Sequence, residues 1–481
     1  MLSKFCNYNL NFFINYTFII LLSSNIFFWE AFKFIEHKIN FQGINFLTPK
    51  VGIFFIFIYY LIYNYKSFVK NNLNVIIFFC FLLIHLLINF DDNFFIEKKL
   101  IQFLMIFSIF VVCNNYYNSI IKNLEKIIFF FIIIIFCSLI FDFIQGDFLN
   151  KLKERKLLIY AFILNENSHV AIMIIPVIFY LIFNNHRLSY SSFIGLVITF
   201  ISAFLFYSTT LVAGFFLMIL FSSLFYLKFF LKRIALIIIL IVIFMTALSL
   251  SKYYNIYKIN FGNDSKIDSL LSINEQFKIH EYKIGQHKIY YPPCDEVINS
   301  ENYLYKWKNQ KKNIREFFLE VYTCLPQRNS PNYFENIFNP YKDLSIYVIT
   351  NAAHVAFLST LEKFYGCGIN NYESCFAKYM LSNIIPVYKE VYALNHNDGS
   401  STLFKLICEF GIFVVLFFYV FLKFSLSDKI SIQNKLFFIS IILVQLVRGV
   451  GYNNGGFALS FAVMFTHFCY STNIYFLKKN S

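Results

Sequence analysis

The stretch Ile127–Ile140 reads IIFFFIIIIFCSLI, with no charge and no alternation of polar and apolar positions. A soluble helix carries one apolar stripe and a half-buried strand alternates, so a run apolar on every side fits neither. It fits a helix surrounded by hydrocarbon, which needs roughly 20 such residues to cross a bilayer. Comparable tracts lie near 9–29, 51–65, 73–90, 100–114, 126–145, 165–184, 190–207, 210–227, 233–251, 402–422, 434–451 and 456–476. The expected fold is therefore all-α and polytopic, with about 12 transmembrane helices. A β-barrel is disfavoured because its strands alternate.

Composition agrees. Hydrophobic residues make up 58% of the 481 and charged ones 14%, against about 25% charged in soluble domains, so a string of soluble domains is excluded. The first tract follows Lys4, but Ser23–Trp29 offers no small-residue cleavage site, so it is read as a retained span and not a signal peptide.

The net charge of +14 is unevenly spread. With the N-terminus in the cytoplasm, the short inner segments carry Lys4, Lys66, Lys70, Lys122, Lys126, Arg187, Lys228, Lys232, Arg233, Lys423, Lys429, Lys435, Lys478 and Lys479, opposed only by Glu125 and Asp428. The short outer segments are nearly balanced. This asymmetry obeys the positive-inside rule and places both termini in the cytoplasm. The basic balance thus reports topology, and no nucleic-acid partner is expected.

Three regions follow: spans one to nine over 1–250, a large external insertion over 251–401, and spans ten to twelve over 402–481. The insertion is soluble-like. Pro292, Pro293, Pro326, Pro331 and Pro340 break its first half into loops with short elements, while Leu344–Phe364 and Phe376–Leu394 each fit a helix with one apolar face. These two either dip into the outer leaflet or pack within a mainly helical insertion. Its four cysteines, Cys294, Cys324, Cys367 and Cys375, allow three disulfide connectivities; the pairs Cys294–Cys324 and Cys367–Cys375 are favoured. No histidine or cysteine pattern has zinc spacing, so neither a metal nor another cofactor is expected.

Polar residues in or beside spans are costly and mark candidate sites. Asn165, Glu166, Asn167, Ser168 and His169 stand at the outer end of span six, Ser208, Thr209 and Thr210 between spans seven and eight, and Arg448 at the outer end of span eleven. Lys405 and Glu409, spaced i,i+4, share one face of span ten. His85 and Asp142, isolated on apolar helices, read as packing or hydrogen-bonding residues. The densest signal is Leu394–Ile412, LNHNDGSSTLFKLICEFGI. Here Asp398 or a serine can cap a transmembrane helix, and His396 stands beside a helix N-terminus able to bind an anion. His396 suits a general base; the bland alternative is a solvated loop histidine.

The order Gly366-Cys367-Gly368, then His396-Asn397, then Glu409-Phe410-Gly411-Ile412 resembles the shared domain of bacterial O-antigen ligases and O-antigen polymerases, over roughly 155–460. Asn165–His169 and Ser208–Thr210 add to the resemblance. The family often carries an Arg before span eight, where this chain has Thr209 and Thr210, and another ahead of the Gly-x-Gly turn, where His354 stands nearest. The resemblance implies metal-independent transfer of a glycan from an undecaprenyl-diphosphate carrier to a sugar hydroxyl, on the periplasmic face of the bacterial inner membrane. It implies His396 as base and Arg448 and Arg155 as diphosphate-binding groups, with Lys405, Glu409, Asn165, Asn167, Thr209 and His354 around the site. Partners would be the lipid-linked glycan, the bilayer and other polysaccharide-assembly proteins. A polymerase is the leading expectation and a ligase to lipid A core the alternative; a lipid-linked glycan flippase or other transporter, and a non-catalytic scaffold, are the other classes.

Overall fold

The computed structural model describes residues 49–89, 96–144, 167–184, 190–205, 209–242, 245–246, 281–284, 287–290, 344–379, 401–449, 451–452 and 455–472. The apolar tracts within them are helical: α1 (Pro49–Tyr63), α2 (Tyr65–Ile88), α3 (Ile96–Ile144), α4 (Asn167–Ile182), α5 (Tyr190–Leu205), α6 (Thr209–Phe225) and the short α7 (Leu227–Lys232). A hairpin of β1 (Glu281–Ile284) and β2 (His287–Tyr290) follows, then α8 (Leu344–Glu362), α9 (Tyr372–Tyr379), α10 (Thr402–Phe410), a 3-10 turn at Gly411–Phe413, α11 (Val414–Leu426), α12 (Ile432–Val447) and α13 (Gly455–Ser471). By length and composition, Tyr65–Ile88, Gln102–Phe129 and Thr402–Leu426 can each cross a bilayer, and shorter apolar helices accompany them. The chain is a largely helical protein of membrane type. The first expected span, 9–29, lies outside the described residues.

The structure refines the expected layout in two places. Within the insertion, whose first half is read as loops with short elements, an antiparallel hairpin pairs Glu281 with Tyr290 and Ile284 with His287. The helices expected at 100–114 and 126–145 are both present in α3, joined across a kink at Tyr116 (φ −110°, ψ 15°) at the start of the segment expected to separate them. The charged stretch between them does not form a loop, because Tyr117, Ile120, Leu124, Ile127 and Ile128 are all buried. Their spacing of three and four keeps one apolar face turned inward while Lys122, Glu125 and Lys126 point away.

Asparagines hold the break. Helix α2 is itself broken at Asn72 (φ −117°, ψ 17°), and the two breaks lie side by side. Asn114 Nδ2 donates to Asn71 O (2.9 Å) and Asn72 Oδ1 (3.1 Å), Asn115 Nδ2 donates to Asn72 Oδ1 (2.8 Å), and the Tyr60 hydroxyl donates to Asn115 Oδ1 (2.6 Å). Side-chain amides thus satisfy backbone and one another where two helices bend, as an apolar setting requires.

Helix α12 is the centre of the bundle. From Leu436 to Ile442 every residue is buried, the mark of a helix surrounded by protein. It packs on α4 and α6, which crowd Gly214 of α6 so closely that a Cβ there would stand 2.7 Å from Ile175 and 3.0 Å from Val444. Lys435 is also buried, against the expectation that it belongs to the solvated inner charges. Its ammonium donates to the carbonyls of Ser425 (3.2 Å) and Ser427 (2.8 Å) at the end of α11 and lies 4.8 Å over the Tyr226 ring. A cation on the last carbonyls of a helix satisfies them and complements the helix dipole.

These contacts give the bundle two chemically different ends. One gathers the lysine-bearing segments around Asn72, Tyr116, Tyr226 and Ser427. At the other, the end of α2, the 364–372 loop, the start of α10 and the residues after α12 come together, and the candidate site lies there.

Candidate functional site

The start of α10 is set by Ser401, whose hydroxyl accepts the Phe404 N–H (3.5 Å) as N-cap and donates to the Leu446 carbonyl of α12 (2.6 Å). Thr402, Lys405, Leu406, Cys408 and Glu409 are then buried, so this short helix turns a lysine and a glutamate into the protein. It stops at Gly411, whose φ of +54° an ordinary residue adopts poorly.

The break is filled by the loop after α8. Cys367 N–H donates to Cys408 O (2.9 Å), Gly368 N–H to Glu409 O (2.9 Å) and Ile412 N–H to Phe364 O (2.8 Å), so two chain segments run along each other like a short ladder. The approach is so close that a Cβ on Gly366 would collide with the Glu409 carbonyl, and one on Gly411 with the Phe364 carbonyl. Gly366-Cys367-Gly368 and Glu409-Phe410-Gly411, some 40 residues apart in sequence, are therefore one structural unit. A disulfide from Cys367 to Cys375 ties the loop to α9, and Glu362 of α8 accepts from both Lys378 and Tyr379 of α9. Cys408 is a free, buried thiol beside that disulfide; all three sulfurs lie within 4.8 Å of one another. Three thiolates could hold a soft metal ion only with the disulfide open.

The loop is also anchored to α2. Asn371 Nδ2 donates to Asn89 O (3.1 Å) and Cys367 O (2.9 Å), and His85 Nε2 donates to Tyr365 O (2.9 Å) while its ring stacks on Phe410 (5.4 Å, 18°). His85 thus has the hydrogen-bonding and packing role expected of it. The Asp142 side chain lies outside the described residues.

Glu409 is the hub. Its carboxylate is fully buried, with Oε1 accepting the Tyr372 N–H (3.0 Å) and Oε2 accepting the Asn370 N–H (3.0 Å) and the Tyr452 hydroxyl. The expected i,i+4 partner, Lys405, is present with Nζ 4.0 Å from Oε1 and 5.7 Å over the Tyr452 ring. Two peptide N–H groups, a phenol and an ammonium surround one carboxylate, the arrangement that makes a buried charge tolerable. Burial first, and then the neighbouring carboxylate, hold the Tyr452 phenol well above its ordinary pKa.

Arg448 caps the C-terminus of α12 and is half-buried. Its guanidinium makes no ion pair or hydrogen bond with any described residue, Glu409 included. His354 lies on α8 with 8% exposure, and burial pushes its pKa down to about 4, so it is a neutral imidazole at pH 7. Asn167 and Thr209 are the first residues of α4 and α6. His396, Arg155, Asn165, Cys294 and Cys324 lie outside the described residues; His396 precedes the Ser401 cap by five positions.

Beneath the Glu409 cluster is an almost wholly apolar cavity of about 330 Å³ between α2, α3, α10, α11 and α13. Ile369, Leu406 and Tyr452 line it beside the cluster, and Phe78, Phe110 and Phe461 carry it along the bundle. Its volume is within the range of small-ligand sites, roughly 300–1,000 Å³.

Sequence reasoning brought Lys405 and Glu409 together but missed Tyr452, Asn370 and Tyr372. Tyr452 stands inside the polar, glycine-rich run after Arg448, the one signal that could have drawn attention to it. The other two act through backbone N–H groups, which no side-chain pattern reveals. No protein-family model, no curated protein and no solved structure matches the chain.

Proposed function

We propose that the protein is a membrane glycosyltransferase that polymerises undecaprenyl-diphosphate-linked oligosaccharide at the periplasmic face of a bacterial inner membrane, an O-antigen-type polymerase, with transfer to lipid A core as the alternative outcome of the same chemistry. In this reading the chain has twelve spans, an insertion at 251–401 facing the periplasm, and both termini in the cytoplasm with the lysine-bearing end of the bundle.

The observation that carries the proposal is the union of the Gly-x-Gly turn with the Glu-x-Gly break, joined by three backbone hydrogen bonds and the buried Glu409. Two of the three pieces of the family-like pattern are one unit, and the third, His396-Asn397, leads into the helix that bears it. The surroundings suit the substrate. The apolar cavity accepts part of a polyprenyl tail, and Ile369, Leu406 and Tyr452 bring it up to the Glu409 cluster. Arg448, uncommitted among the described residues, has a fork of donors matched to phosphate oxygens.

The chemistry is substitution at an anomeric carbon. An acceptor hydroxyl attacks, the bond to the diphosphate oxygen breaks, and the hydroxyl proton passes to His396. Arg448 and Arg155 stabilise the negative charge that grows on the leaving group. Glu409 takes no proton in this scheme; it fixes the turn. The helix break at Gly411 could suggest a transporter, whose ion sites are built from freed carbonyls at broken helices. Here the carbonyls of Cys408 and Glu409 are occupied by Cys367 and Gly368, which favours the enzyme reading.

Deletion of the gene tests the proposal. Single repeat units on lipid A core identify a polymerase. Undecaprenyl-linked polymer that never reaches the core identifies a ligase. Unchanged polysaccharide refutes both.

A further inference from the structure

A second polar constellation lies at the lysine-bearing end, separated from Glu409 by the 3-10 turn and the whole of α11. Ser427 is the C-cap of α11, His467 is in the last turns of α13, and Tyr117 directly follows the break in α3. His467 Nε2 is 2.7 Å from Ser427 Oγ, and His467 Nδ1 is 2.8 Å from the Tyr117 hydroxyl oxygen. The imidazole is buried, with Phe424 edge-on at 5.5 Å, whereas Ser427 is half-buried and its neighbour Leu426 is 63% exposed. Ser427 therefore stands at the partly exposed edge of the bundle while its histidine is shielded from water.

The hydrogen bonds orient the hydroxyl. Lys429 N–H donates to Ser427 Oγ at 3.3 Å, which occupies one lone pair and leaves the hydroxyl hydrogen to point at His467 Nε2. With Nε2 accepting, Nδ1 carries the other hydrogen and donates to the Tyr117 oxygen. This is the sequence nucleophile, base, positioning group that activates a serine, recognised by geometry and not by chain order. A helix-to-helix clamp would need the contacts but not a partly exposed serine with a lone pair to spare.

We propose that Ser427 is an activated nucleophile that accepts acyl groups from ester or thioester donors at this membrane surface. Oγ attacks the acyl carbonyl carbon as its proton passes to His467 Nε2. The bond from the acyl carbon to the alkoxide or thiolate then breaks, and that leaving group takes the proton. Water, giving its proton to His467, next cleaves the serine ester, releases the carboxylic acid and restores the hydroxyl. No electrons are exchanged with an outside reagent. The exposed ammonium groups of Lys423 and Lys429 at the same turn favour donors that carry negative charge. Tyr117 acts through His467 and is a positioning residue.

The test uses the full chain purified in detergent and an alkyl fluorophosphonate. The expected result is one phosphonyl adduct on Ser427, absent in Ser427→Ala and formed at least tenfold more slowly in His467→Gln. A second measurement needs no change at His467: in Ser427→Cys, an imidazole-paired thiol keeps its alkylation rate with iodoacetamide below pH 7, whereas an ordinary thiol slows about tenfold per pH unit below its pKa of roughly 8.5. In that variant, Tyr117→Phe should move the low-pH limb toward the ordinary thiol profile. Either a His467-dependent adduct or a retained low-pH rate supports the proposal. An unlabelled Ser427 together with an ordinary thiol profile overturns it and leaves the three residues as a clamp between helices. Neither result bears on polysaccharide synthesis at the opposite end, so the two readings stand or fall separately.

Discussion

Tyr452 and Asn370 meet on a single atom, Glu409 Oε2, which receives the phenol hydrogen of one and the backbone N–H of the other, themselves 3.2 Å apart. Glu409→Gln replaces a carboxylate oxygen by an amide that can only donate, so it faces either an N–H or the Tyr452 hydroxyl. An unsatisfied buried group costs about 1–3 kcal/mol, more when charge is involved. Thermal melts in detergent should show Glu409→Gln well below the wild type, Tyr452→Phe less affected, and the double variant less destabilised than the two effects added. Wild-type melting of Glu409→Gln would show that the hub does not hold the turn.

The Cys367–Cys375 disulfide closes a short loop, with a sequence separation of 8. Chain-entropy reasoning gives about 2–3 kcal/mol for a loop of this size. Wild-type protein should melt lower in dithiothreitol, and Cys375→Ser should start lower and be unmoved by the reductant. Equal sensitivity of both proteins would assign the effect to other thiols.

Much of this site was legible because its chemistry is carried by side chains at helical spacing. Lys405 and Glu409 share a face by arithmetic, and Ser401 caps the helix that the polar run before it announces. What was not legible is what brings distant segments together. The union of Gly366 with Glu409 depends on backbone atoms that every residue possesses, and the sequence hints at it through the glycines at 366, 368 and 411, all of which take positive φ. In α3 the lysines at 122 and 126 read as a loop between spans, whereas the spacing of Tyr117, Ile120, Leu124 and Ile127 gives one buried face and keeps that stretch helical. Lys435 misled for a related reason, since a lysine can point inward when two helix-terminal carbonyls await it.

Burial of His354 makes stability depend on acid. Its pKa falls from 6.5 unfolded to about 4 folded, so above pH 6.5 both states are neutral and the residue has no effect. Between those values the unfolded chain takes up a proton that the folded protein refuses, and stability drops as pH falls, by up to about 3 kcal/mol at 1.36 kcal/mol per unit. His354→Gln removes the titration. Melts at pH 7.5 and 4.5 should therefore differ less for this variant than for the wild type; an equal difference would place the acid sensitivity elsewhere.

The last prediction separates the base from the anion-binding group. His396→Ala should abolish polymer formation while protein level and membrane insertion stay normal, because the function lost is proton acceptance. Arg448→Ala should also reduce synthesis, but through the leaving diphosphate. Arg448→Lys keeps the charge and loses the two-pronged geometry, so it should recover only part of the activity. Removing one stabilising donor of this kind typically costs roughly a hundredfold or more in rate. Chain-length profiles of the polysaccharide from cells carrying each variant provide the measurement. Full-length polymer in His396→Ala cells would remove His396 from the mechanism, and full recovery in Arg448→Lys would reduce Arg448 to a simple positive charge.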